Sequence, residues 1–421
     1  MLSRRAAGLQ KSGFRSYSRA APSRIDTTEP FHTGEDQRDS LVRCTARLPQ
    51  GCLMMPQPRV AVFTSRTHRR ELFRGLGYEY EDAIVSEFED GLLVHPDPSV
   101  LDTRAFRLRR QADRVGLGGI LPRARAGTME TDVDLFFAFP ASSKDLFALA
   151  AIPDWRERSR FAVCHLQELW VANMAAQVPG LRHILNRFDH IICMLHHSVE
   201  PLAQALDVPV SYLPPSVDAE ALCPYPHPPE RVIDACAIGA MHPETHAALW
   251  DWDRSTGRYY RFSTDTGASF AVSHLHHRQA LAQTLQRSKV FFAYRAKRDF
   301  SRERGQQEEF GPRYFEGAAA GAIVVGDRVT GSPPFEENLD WEGAVIAAEF
   351  DEPGMPAILE DLLARQDWLE GVRRANVSNC LTRHDHVHRW QSTLDLVGLS
   401  PTPAMAVRQE RLKALAARVS E

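Results

Sequence analysis

The sequence lacks any apolar run near the about 18 residues that a membrane-spanning helix needs, so contact with a bilayer is at most peripheral. It lacks a CxxC pair. Its seven cysteines, at 44, 52, 164, 193, 223, 236 and 380, are scattered, an odd set that reads as reduced thiols in a cytoplasmic protein. It lacks an excess of basic residues: the formal net charge is −4, and no nucleic-acid partner is expected. The usual nucleotide fingerprints are missing too. "FTSRTHRREL" stands where G-x-G-x-x-G would follow the first strand, "GLGGIL" at 116–121 has the wrong third position, and no G-x-x-x-x-G-K-[ST] occurs. This argues against a standard NAD enzyme and a P-loop NTPase.

Complete metal-ligand sets are also missing. Asp132-Val-Asp134 has the form of a D-x-D motif, but its apolar run follows it rather than precedes it. Asp251 and Asp253 close a helical stretch. His384, Asp385, His386 and His388 are split across helix faces with no distant Cys/His pair to complete four ligands, and read as a capped, partly exposed helix. His196–His197 and "HLHH" (274–277) read as surface or cleft histidines.

What is present is ordinary globular composition: 421 residues, 43% hydrophobic and 9% aromatic, a length that favours two domains or more. The amino terminus is arginine-rich with no acid before Asp26, superficially like a transit peptide. Residues 1–53 have no sustained periodicity, and Met54–Met55 look like a fresh start. The segment therefore reads as a disordered or mis-called extension, with a genuine tail as the other reading.

From residue 59, short apolar runs alternate with amphipathic stretches. The runs are "RVAVFTS", "LLVH", "LFFAFP", "RFAVCH", "HIICML", "VSYLPP", "DACAIG", "KVFFAY", "AIVVGD" and "AVIAAE". Buried strands joined by helices predict βαβ units and a mostly parallel sheet. Ten strands are many for one open sheet, so the expected class is α/β with two Rossmann-like domains. The seam falls near Pro215–Glu230, in a segment with prolines at 214, 215, 224, 226, 228 and 229. The expected division is 54–222, 223–390 and a helical segment 391–421.

One stretch stands out. "EEFGPRYFEGAAAGAIVVGD" (308–327) runs from charged and aromatic residues into five small ones, Gly317 to Gly321, and then an apolar strand. Gly311 and Pro312 predict a loop opening a helix whose free amides suit an anion such as a diphosphate. Small residues let that helix approach sheet and ligand, and a nearby carboxylate suits sugar or ribose hydroxyls. The alternative is plain helix-on-sheet packing with Glu316 as a surface cap.

This stretch resembles the carboxyl-terminal motif of GT-B glycosyltransferases, above all the group 1 branch that includes CgeB-like spore-maturation proteins. "YLPPSVDAEALCP", "DACAIGAMHPETHAAL" and "LTRHDHVHRWQSTLDL" are similar to further family segments, over roughly residues 180–400. The resemblance implies a GT-B fold, its two domains facing each other across a cleft, and sugar transfer from a nucleotide diphosphate sugar without cofactor or metal. The acceptor is an unidentified glycan, lipid or small molecule, and the mechanism is retaining by analogy. It also implies roles. Glu308 and Glu316 match a pair of acids separated by seven residues, with Glu309 leaving open which acid is the real partner. The segment to Gly311 would approach the donor sugar and Glu316 would hold ribose hydroxyls. Backbone amides around Arg313 and Tyr314 would face the diphosphate. Lys297 would neutralise it, with Arg295 and Arg298 as alternates. Gly239 would allow close backbone approach. From the residues themselves, His165 just after an apolar strand and Glu168 near the start of the next helix are expected to line the acceptor side, the alternative being a polar helix start with Trp170 in the core. Many relatives have a basic residue where Ala240 or Met241 stands, which keeps open a degenerate, non-catalytic protein; a nucleotide-sugar epimerase of the same fold is the third reading.

Overall fold

The computed structural model describes residues 59–115, 117, 129, 131–152, 154–263, 272–329 and 332–420. The expected extension, residues 1–53, and most of "GLGGIL" lie outside them.

Among the described residues, eleven strands form two sheets. The first contains β1 (Arg59–Phe63), β2 (Asp90–Val94), β3 (Val133–Ala138), β4 (Ser159–Leu166), β5 (His190–Cys193) and β6 (Val210–Tyr212). The second contains β7 (Ile233–Ala237), β8 (Tyr260–Phe262), β9 (Ser288–Phe292), β10 (Ile323–Gly326) and β11 (Ile346–Ala347). Their orders are β2-β1-β3-β4-β5-β6 and β11-β10-β9-β7-β8. Every pairing is parallel, with Phe63 opposite Ala138 and Cys236 opposite Phe291 in register. The structure is therefore α/β with two Rossmann-like parallel-sheet domains, as expected. Ten strands coincide with the apolar runs of the sequence. The eleventh, β8, is a three-residue edge strand whose middle residue, Arg261, is exposed, so no apolar run marks it.

Both faces of each sheet are covered. In β1, Val60 and Val62 enter one core while Ala61 and Phe63 enter the other. In β10, Val324 points one way and Ile323 and Val325 the other. This is why the strands read as continuous apolar runs rather than as alternating ones. The small-residue helix, Arg313–Ala319, lies close on the second sheet: a Cβ on Gly317 would come 2.6 Å from Phe291 Cδ1 and 3.1 Å from Val324 Cγ2.

The chain then returns to the first domain. Helix Gln366–Arg383 ends at a parallel bridge between Asp385 and Val217. Helix His386–Leu396 follows and sets Trp390 against Phe137 of β3, 5.1 Å between ring centroids, with its indole N–H donating to Glu89 at 2.8 Å. His384, Asp385 and His386 are thus buried, and only His388 keeps the partial exposure expected of this stretch. Asp385 does cap the helix, accepting from Val387 N–H at 3.0 Å, and it also holds Arg408 in a two-pronged pair at 3.0 and 2.8 Å. His386 bonds Ser216 and stacks on Tyr80, because this turn crosses between the domains. Among the described residues, no helix is long and apolar enough to cross a membrane.

Candidate active site

In both sheets the strand order reverses beside the first strand. Ligands of doubly wound sheets bind outside the carboxyl ends of strands at such a reversal. In the second sheet the reversal lies between β7 and β9. The loop after β7 places Gly239 at φ +113°, with nothing among the described residues within 4 Å of where a Cβ would stand. A side chain there would be strained by the backbone angle, and glycine leaves the peptide open to a ligand.

The loop after β9 carries the basic residues. Arg295 donates from Nε to Asp327 at 3.0 Å and also pairs with Glu308. Arg298 approaches Asp327 at 3.7 Å and lies over the Phe350 ring. Tyr314 is fully buried, and its hydroxyl donates to the Asp327 carbonyl at 2.9 Å. Asp327, at the end of β10, therefore gathers two arginines at the mouth of the crevice. Lys297 turns the other way. Held at φ 53°, it sits between Glu168 (2.8 Å) and Glu303 (2.6 Å) and above Trp170, against the first domain. Of the three basic candidates, Arg295 and Arg298 converge on one carboxylate, and Lys297 joins the two domains.

The paired acids separate as well. Glu308 is half-exposed beside Arg295. Glu309 is buried and turned into the first domain, where it accepts from the backbone N–H groups of His196 (3.1 Å) and His197 (2.9 Å) at the start of helix His196–Ala205. Its expected place at the donor is corrected: a carboxylate is held there by the free amides and positive end of that helix. Gly311 has open space beside it, the nearest atom to an added Cβ being Ala296 Cβ at 4.0 Å.

Glu316 also departs from expectation. It is neither open to solvent nor a surface cap, being only 2% exposed. Oε1 accepts from Arg278 at 2.5 Å and Oε2 from Arg313 at 2.7 Å. Burial raises its carboxyl pKa, but Arg313 and Arg278 outweigh this and hold it below the usual carboxylate range. Arg278 also reaches Glu79 of the first domain at 2.9 and 3.0 Å, so one guanidinium bridges an acid from each domain. Glu79 is pulled down to about 2: burial opposes this, and the Arg278 charge with a His386 hydrogen bond overcomes it.

On the first domain, His165 ends β4 inside a shell that includes Phe137 and Phe139. Burial, reinforced by the Arg389 charge, pushes its pKa down to about 3, so it is neutral at physiological pH. Among the described residues, neither ring nitrogen has a hydrogen-bond partner, and the same holds for Trp170 Nε1, His196 Nδ1 and Tyr294 Oη. These buried polar atoms lie at or just beyond the carboxyl ends of β4, β5 and β9, and buried polar atoms in native proteins are ordinarily satisfied.

Asp132 and Asp134 lie at the amino end of β3, on the edge opposite the crevice, with Asp132 paired to Arg158 at 3.1 Å. Among the described residues, no group of three or more His, Cys, Asp or Glu could hold a metal ion. Sequence reasoning missed Arg278, Asp327 and Glu79. Asp327 follows its strand directly and could have been named; nothing in "HHRQALAQTLQ" distinguishes a bridging arginine from a solvated one.

Residues 231–395, the second sheet and the helices after it, match a family described as glycosyl transferase-like. No curated protein matches the sequence. Among solved structures, a glycosyltransferase from Rickettsia africae is 9% identical, with 81% of this chain and 98% of that one covered and a TM-score of 0.45. A UDP-N-acetylglucosamine 2-epimerase is 8% identical, with 82% and 98% covered and a TM-score of 0.44. The glycotransferase of kitacinnamycin is 12% identical, with 81% and 99% covered and a TM-score of 0.39.

Proposed function

We propose that this chain is a glycosyltransferase of GT-B type, moving a sugar from a nucleotide diphosphate sugar to an acceptor across the crevice between its domains. The observation that carries this reading is the carboxyl edge of the second sheet, in the part that matches the glycosyl transferase-like family. There, a glycine in open space faces a loop with two arginines gathered on Asp327. The glycine admits the donor backbone, and Arg298 and Arg295 stabilise the charge that grows on the leaving diphosphate.

Glu308, beside Arg295, takes the donor-sugar side. Glu316 holds ribose through Oε2 when Arg313, the more exposed of its two partners, swings to the diphosphate. The unpartnered atoms of His165, Trp170, His196 and Tyr294 suit a hydroxyl-rich substrate. Retention of configuration and independence of metal are part of the proposal, by analogy.

Thermal denaturation against a panel of nucleoside diphosphates and their sugars tests it. The donor nucleotide at about 100 times Kd should add about 2.7 kcal/mol of stability. Arg298→Ala should lose nucleoside diphosphate affinity while binding the bare nucleoside unchanged, and turnover should survive EDTA. A chain that binds none of the panel is not a transferase of this kind. A second reading, a non-catalytic sugar-binding protein, draws on the neutral "GAMH" loop and the sealed Glu316; binding with neither transfer nor donor hydrolysis would select it.

A further inference from the structure

We infer that the pocket at the carboxyl end of β1 is a phosphate subsite, so that the acceptor carries a phosphate group. This rests on the transfer reading and names the substrate class of its other half. The pocket lies beside the strand reversal of the first sheet, opposite the donor crevice in function. It encloses about 220 Å³ and is lined by Arg66, Arg69, Arg70, Tyr78 and Glu71, with His274 contributed by the second domain. Its loop is "SRTHRRE", the segment that stands where a nucleotide-binding glycine loop would be.

The charges sort into used and available. Arg66 is taken by Glu81 at 2.8 Å and Asp82 at 2.5 Å, and Asp82 also accepts from His274 at 2.6 Å. Arg74, behind the pocket, takes Glu71 at 2.9 Å and Asp145 at 2.6 Å. That leaves Arg69 in two looser ion pairs, with Glu71 at 3.5 Å and Asp145 at 3.8 Å, and its buried Nε has no hydrogen-bond partner among the described residues. Arg70 is exposed and makes no ion pair among the described residues. Burial pushes Glu81 up to about 7, so at neutral pH part of the counter-charge on Arg66 is lost as well.

The loop is already shaped. His68 and Arg69 N–H both donate to the Ser65 carbonyl, at 3.1 and 2.9 Å, and the Tyr78 hydroxyl donates to the Arg69 carbonyl at 2.9 Å. Two adjacent guanidiniums offer more donors than the two oxygens of a carboxylate accept in one plane, whereas a phosphate presents three oxygens in a tetrahedron. The group is therefore assigned as phosphate.

Calorimetry on the full chain tests this with inorganic phosphate, with and without a saturating nucleoside diphosphate. Wild type should bind phosphate in both. Arg70→Ala, which removes no ion pair or side-chain hydrogen bond among the described residues, should weaken that binding at least tenfold, and Arg69→Gln with Arg70→Ala should abolish it. Both variants should bind nucleoside diphosphate as wild type does. Glucose 6-phosphate and vesicles of phosphatidylcholine doped with phosphatidic acid distinguish a soluble phosphorylated acceptor from a lipid one. Absence of phosphate binding in wild type, or the same affinity in Arg70→Ala, overturns the inference. Phosphate binding that depends on Arg70 in a chain blind to every nucleotide would keep the pocket and discard the transferase reading.

Discussion

Glu316 shows how much depends on one carboxylate. Its acid character and spacing from Glu308 suggested a ligand group in open space, yet both oxygens are occupied by arginines within 2.7 Å. Glu316→Gln keeps the shape but turns two charge-assisted hydrogen bonds into weaker ones and leaves Arg278 with less compensating charge. The variant should lose about 1.5–3 kcal/mol of stability, read by denaturant unfolding. Melting unchanged from wild type would mean that the carboxylate is free to serve ribose alone.

Elements are joined here by side chains that reach into one another's ends. Helix His196–Ala205 has no capping side chain of its own, Leu195 standing at its N-cap. Glu309, more than a hundred residues later, supplies the missing acceptor to its first amides, and Gln307 bonds both Glu309 and Ser198. Glu309→Ala should cost about 1–2 kcal/mol, the ordinary cost of losing a cap. The loss should appear as faster hydrogen exchange at residues 196–199 before any global unfolding. Uniform exchange across the molecule would show that the cap does not act locally.

The whole molecule is closed by the chain's return to its first domain, and that closure carries a pH dependence. Glu89 accepts from the Trp390 indole at 2.8 Å, while its other oxygen is buried without a partner among the described residues. Burial raises its pKa to about 7, the indole bond only partly opposing it. The folded state therefore holds this proton where the unfolded chain, near 4.5, releases it. The contribution of Glu89 to stability falls as pH rises from about 4.5 to about 7 and is level above. Glu89→Gln keeps an acceptor for Trp390 and removes the buried charge. It should match wild type at pH 4 and exceed it by about 2 kcal/mol at pH 8, measured as unfolding free energy across pH. A parallel pair of pH curves would contradict this.

The sequence by itself determined the strand inventory and the two-sheet class, because a strand buried on both faces must be apolar throughout and its connections must be helical. "RVAVF" and "IVVG" could hardly lie elsewhere. It also marked the loops that leave the second sheet, since glycine, proline and basic residues cluster where a chain leaves a sheet. The tertiary structure alone decided which charges are committed. Arg278 meets Glu79 from 199 positions away, Glu309 meets His197 from 112, and the arginines of the 64–74 loop divide between occupied and open only once Asp145 and Glu81 have been folded behind them. Hydrophobic periodicity is local and survives in one dimension. Ion pairing depends on distances of a few ångströms between residues remote in sequence, and no spacing along the chain encodes those.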